Sequence, residues 1–111
     1  MSKRSNSILI EDIKESCEKI FRYTDGLSYE QFDSDDRTID AVIRNFEIIG
    51  EAANRLSEDI KDKHSEIDWF KIRGFRNRIV HDYAGVDLQI VWKIIQDYLP
   101  KAYAEIKKIE C

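Results

Sequence analysis

The side chains of chemical interest stand in one octapeptide, Arg76-Asn77-Arg78-Ile79-Val80-His81-Asp82-Tyr83, which reads R-N-x-x-x-H-x-Y on a segment patterned as a helix. Arginine keeps its charge at any ordinary pH and offers a planar fork of donors suited to phosphate. Histidine gives and takes protons near neutral pH. Tyr83 adds a hydroxyl two residues further on. Together these groups supply what cleaving a phosphodiester without a metal requires. Residues 69–81 hold four basic residues, Lys71, Arg73, Arg76 and Arg78, and no acidic one. The whole chain carries a formal charge of −4, so the remainder sums to −8. A basic island on an acidic protein is a local footprint for an anion. On a straight helix, residues five apart point about 140° away from each other, so Arg76 and His81 flank one broad face. Asn77 and His81 are four apart and lie one above the other, which lets Asn77 orient the imidazole or bond to the substrate. Readings without catalysis stand beside this one. A histidine near a helix end can pair with Asp82 or cap backbone carbonyls, a basic stretch can be a solvated helix face, and Tyr83 can be a packing or interface tyrosine.

Glycine is scarce and proline occurs once, so the elements that position this stretch are expected to be long helices with few breaks. Ile10, Ile13, Cys17, Ile20, Phe21 and Thr24 recur at helical spacing and predict a first helix over about 7–24. Gly26 supplies a stop just past its end. Ser28-Tyr29-Glu30-Gln31 has the form of a capping box and predicts a single turn ending near Phe32. A long helix follows from Asp35 or Asp36 to about Leu56, with Ile39, Val42, Ile43, Phe46, Ile49, Ala53 and Leu56 as its inner stripe. Residues 57–64 are polar and read as a short helix or a loop, and His64 reads as a surface residue. Asp68 can cap a helix from Trp69 to about Tyr83, with Ile72, Phe75 and Ile79 left to pack it. Ala84-Gly85-Val86 breaks that helix. Asp87 caps another, with Leu88, Val91, Trp92, Ile95 and Leu99 facing in. Pro100 removes a hydrogen bond and must bend or restart it, and Tyr103, Ile106 and Ile109 continue the tail. Glu51 and Arg55 are spaced as an intrahelical ion pair, and Gly50 within a helix points to a close helix–helix approach. Trp69 and Trp92 read as core or interface aromatics. The pattern predicts an all-α, up-down bundle of four to five helices spanning residues 1–111 as one domain.

At 111 residues, with 36% charged residues and a mean hydropathy of −0.52, the chain suits a helical protein with much exposed surface. Its apolar complement makes burial through oligomerisation reasonable. A pI near 5.2 argues against indiscriminate binding of nucleic acid. Cys17 and Cys111 do not form a disulfide framework: Cys17 lies on an apolar stripe, as a buried thiol would, and Cys111 is expected to be exposed. No cysteine–histidine spacing suits zinc, and no cofactor is expected. Glu11 and Asp12 interrupt the short Ile8-Leu9-Ile10 patch, so neither a signal peptide nor a membrane span is expected, and a cytoplasmic protein is the natural reading.

The octapeptide resembles the R-x4-H-x-Y signature of HepT-like HEPN proteins. Further segments agree in order and spacing: residues 40–57 with their I-G-E-A-A-x-R-L-S core, Ile67-Asp68-Trp69, Val86-Asp87, Val91-Trp92 and Leu99-Pro100. The resemblance implies a HEPN-type bundle that forms a homodimer with a composite site between two copies of the motif. It implies metal-independent endoribonuclease action on RNA, leaving a 2′,3′-cyclic phosphate. Carried over by position, Arg76 and His81 are the catalytic pair, and Asn77, Arg73 and Arg78 are the supporting, RNA-binding side chains. The dimer suits the chemistry: one chain offers one candidate histidine, since His64 lies elsewhere, whereas a two-fold axis brings two copies of His81 and Arg76 together. The resemblance further implies a toxin–antitoxin pair, in which a cognate MntA-type nucleotidyltransferase attaches AMP to Tyr83. A tRNA or an mRNA would be the substrate. The alternative is a catalytically silent HEPN module that scaffolds a nucleotidyltransferase or holds a nucleotide.

Overall fold

The computed structural model describes residues 5–80 and 87–110, with side chains through Phe75 and again from Asp87. The expectations for His81, Tyr83 and Cys111, and for the side chains of Arg76, Asn77 and Arg78, lie outside the described residues.

The first helix, α1 (Asn6–Thr24), starts where the Ser5 side chain accepts from the Ile8 N–H. It ends before Gly26, whose φ of +79° is a conformation that glycine adopts without strain. Helix α2 (Tyr29–Asp33) opens on the expected capping box, with Ser28 and Gln31 each accepting from the other's backbone N–H. Asp35 caps α3 (Asp36–Arg55) by accepting from the N–H and hydroxyl of Thr38, and these hydrogen bonds hold its carboxyl below the usual range. The polar stretch after α3 resolves in favour of a short helix, α4 (Glu58–Lys63), capped by Ser57. Helix α5 spans Trp69–Val80, and Asp87 caps α6 (Leu88–Lys93) by accepting from the N–H groups of Gln89 and Ile90.

Proline at position 100 neither breaks nor sharply restarts the last helix. The backbone stays helical through a π-helical segment, Ile94–Tyr98, into α7 (Leu99–Ile106). In the π segment the Leu99 N–H donates to the Ile94 carbonyl, five residues back. The wider turn lies just ahead of the ring that would otherwise clash with the carbonyl of Gln96.

The elements form an all-α bundle. Asn6 and Ser57 bond reciprocally, the amide donating to the hydroxyl at 2.9 Å and the Ser57 N–H to the Asn6 carbonyl at 3.1 Å. The start of α1 therefore meets the end of α3, and the two helices run antiparallel. Ile13, Cys17 and Ile20 of α1 and Val42, Phe46 and Ile49 of α3 are buried between them. Burying each large apolar side chain contributes about 1.5–3 kcal/mol. Trp92 closes one end, its ring 5.1 Å from Phe32 and 6.2 Å from Tyr29. Tyr103 ties α7 to α1 through a 2.6 Å hydrogen bond to Glu18, which pushes the phenol up to about 12. The Cys17 thiol is buried, as its stripe predicts, and burial pushes it up to about 12. Among the described residues no buried side-chain nitrogen or oxygen lacks a partner, and no helix is long and apolar enough to cross a membrane.

Candidate active site

The helix that carries the motif is fixed at its start by three contacts. Asp68 accepts from the Lys71 N–H at 3.0 Å, the Trp69 indole donates to the His64 carbonyl at 3.1 Å, and Ile67 is buried beside them. Asp68 thus caps α5 as its position predicts, and Trp69 is a half-buried structural aromatic. His64 departs from its expected place on the surface. It ends α4, its side chain is only 20% exposed, and its Nδ1 stands 3.6 Å from Glu66. Its carbonyl, rather than its imidazole, is what α5 uses.

One turn further on, Ile72 and Phe75 are each only 1% exposed. The Phe75 ring meets Phe46 of α3 edge-on, with centroids 5.6 Å apart, and Tyr98 of the π segment at 5.5 Å. Such edge-to-face pairs add about 0.5–1.5 kcal/mol each beyond their buried area. This row of three rings sets the rotation of α5 about its own axis at the residue immediately before Arg76. The rotation of α5 at Phe75 is therefore determined by core packing.

The outward face of the first two turns is basic and unusually apolar at one point. Phe70 is 78% exposed, and the Arg73 guanidinium lies 5.7 Å from its ring centroid. The Lys71 ammonium sits 4.3 Å from the centre of the Tyr98 ring. Burial, and then the charge of Asp68, raise the Tyr98 phenol above its ordinary value, so it stays neutral under the lysine. A groove of about 490 Å³ runs between α5 and the C-terminal helix, with Lys71, Lys93 and Lys101 along it.

Of the sequence-predicted residues, Arg73 is placed on the exposed face of α5, beside Phe70. Arg76, Asn77 and Arg78 lie on the backbone of the same helix. Glu51 and Arg55 form the expected ion pair, at 3.0 Å. They line a different hollow, with Leu9 and Asp12 of α1, whose described lining includes no residue of α5. Gly50 is buried within α3. Phe70, Lys93 and Lys101 escaped the sequence reading. Phe70 looks like one more apolar residue beside Trp69, and only the positions of Ile72 and Phe75 show that it faces out. The signal for the lysines, two of them eight positions apart on the last helix, acquires meaning only once that helix packs beside α5.

The structure thus gives an all-α bundle with a basic, exposed face on the first turns of α5, and the sequence from the end of that helix onward completes R-N-x-x-x-H-x-Y. Comparison with known proteins gives the family. Residues 13–109 match the model of the ribonuclease HepT-like family, and the chain belongs to that family. It is 37% identical over 107 residues to a protein of Thermococcus cleftensis named as a probable ribonuclease HepT, covering 96% of this chain and 97% of the other. It is 35% identical over 100 residues to a candidate RNase of Caldanaerobacter subterraneus, covering 90% and 89%. It is 35% identical over 107 residues to one of Methanocaldococcus jannaschii, covering 96% and 98%. None of the solved structures gives a significant match.

Proposed function

We propose that the chain is the toxin of a toxin–antitoxin pair, a cytoplasmic homodimeric endoribonuclease that cuts RNA without a metal. The observation that carries the reading is an intact R-N-x-x-x-H-x-Y lying inside the span that matches a ribonuclease family.

In this mechanism, internal attack by a ribose 2′-OH needs a base for its proton, an acid for the departing 5′-oxygen and positive charge for the phosphorane between them. His81 of one protomer takes the proton, and the second copy of His81 protonates the leaving oxygen. Arg76 supplies the charge, and its fork matches two phosphate oxygens at once. Asn77 orients the imidazole or bonds to the RNA, while Arg73 and Arg78 hold flanking phosphates. The products are a 2′,3′-cyclic phosphate and a free 5′-hydroxyl. Silencing follows from the same electrostatics. A cognate nucleotidyltransferase of the MntA type adds AMP to Tyr83, and each unit brings bulk and a negative phosphate beside a cationic cleft. A free tyrosine has a pKa near 10 and is a weak nucleophile, so the transferase must supply the activation.

The test is cleavage of a short RNA in chelator, beside the same RNA carrying 2′-O-methyl groups throughout. The proposal predicts that the first is cut to 2′,3′-cyclic phosphate ends and that the second is untouched. Cleavage of the blocked RNA, or 3′-hydroxyl ends, would contradict internal attack.

A further inference from the structure

We infer that the groove between α5 and the C-terminal helix is a second RNA contact, which holds the phosphates of a single strand at a distance from the motif. The inference rests on the ribonuclease reading and extends it to residues outside the motif. Three ammonium groups, those of Lys71, Lys93 and Lys101, border the groove, against one carboxylate, Asp97. All three lysines are exposed, and among the described residues none forms an ion pair within 4.0 Å. Lys14, Lys19 and Lys108, by contrast, each pair with a glutamate one turn away. Unpaired cations gathered on a chain of net charge −4 favour an anionic partner at that place over any other.

Behind the lysines lie Phe75, which is buried, and Tyr98, whose ring sits under the Lys71 ammonium, while Ile90 at the rim is 39% exposed. A row of cations along a groove suits a single strand, whose backbone tracks the charge. The groove also has an end. Beyond Tyr98 and Lys101 the next hollow carries Glu66, Asp68 and Glu105, which repel phosphate. At the other end, α5 leads directly to the motif: position 78 follows Lys71 by two helical turns. The strand is therefore led from Lys101 toward the last described turns of α5, and not across the acidic side.

The experiment measures anisotropy of a fluorescein-labelled, 2′-O-methyl 20-nucleotide single strand, titrated with the full chain at several salt concentrations. The test variant is Lys71→Gln/Lys93→Gln/Lys101→Gln, and the control is Lys19→Gln/Lys63→Gln/Lys108→Gln. Neither changes a buried side chain, and circular dichroism and sedimentation accompany each. At about −0.7 per phosphate contact for single strands, the test variant should lose about 2 from the slope of log K against log salt. It should also bind at least tenfold more weakly at about 0.1 M salt, with the control close to wild type. Equal losses in the control would reduce the effect to bulk charge and overturn the groove. So would a test variant that binds like wild type, or one that loses affinity only because its sedimenting mass has halved. Wild-type protein that cuts RNA while the test variant binds unchanged removes the groove alone. Wild-type protein that neither binds nor cuts removes the ribonuclease reading with it.

Discussion

At the scale of single residues, the proposed mechanism gives two tasks to side chains only two positions apart in the sequence, His81 to move protons and Tyr83 to be modified. In that proposal the switch is local, since charges act on one another mainly within a Debye length of about 8–10 Å. Tyr83→Phe keeps the ring and removes the acceptor oxygen. Expressed with the cognate transferase, it should show an intact mass free of AMP increments and should still cut RNA. An AMP increment on this variant would place the acceptor elsewhere. The proposal for these residues rests on the sequence, because chemistry depends on residue type and spacing, and both are written there. Exposure is not. Phe70 and His64 show the limit, since an apolar residue lies in solvent and a polar one is half-buried. Each follows from which neighbour wins the inner face, Phe75 in one case and the join between α4 and α5 in the other.

At the scale of elements, helix starts were the most legible feature. Ser28, Asp35, Asp68 and Asp87 all cap as their positions predict, because capping needs one side-chain oxygen at one offset from free N–H groups. The course of the last helix was less legible. Proline announces a lost hydrogen bond, but whether the chain bends, restarts or widens depends on what packs beside it. Here the π segment keeps Ile94, Ile95 and Leu99 buried across the disturbance. It also carries Tyr98, the third ring of the row that begins at Phe46. The account makes Phe75 the residue that sets the rotation of α5, so Phe75→Ala should cost about 3–5 kcal/mol in chemical denaturation. A loss under about 1 kcal/mol would mean that the ring row does not hold the motif helix. Pairing across the bundle was not legible at all: Phe46 and Phe75 lie 29 positions apart, and only folding brings them to 5.6 Å.

At the scale of the whole molecule, the charge distribution and the bundle work together. On a chain of net charge −4, Lys71, Lys93 and Lys101 gather along one groove, whereas Lys14, Lys19 and Lys108 each pair with a glutamate. The proposal that this groove takes RNA is an argument at this scale, since it rests on local charge against the charge of the whole chain. The all-α class was readable from periodicity and the scarcity of glycine and proline. The family was readable from several separated motifs in the right order, and the match over residues 13–109 bears that out. The dimer was inferred from chemistry that one histidine cannot complete, and it belongs to the proposal. The most direct test of the central claim is cleavage of total cellular RNA by the purified chain in EDTA, with His81→Ala at equal concentration. Proton transfer by a positioned side chain is worth about 10²–10⁴-fold. The account predicts cutting by the wild type and at least a hundredfold loss in a variant with unchanged thermal unfolding. A folded His81→Ala that cuts at the wild-type rate would contradict it.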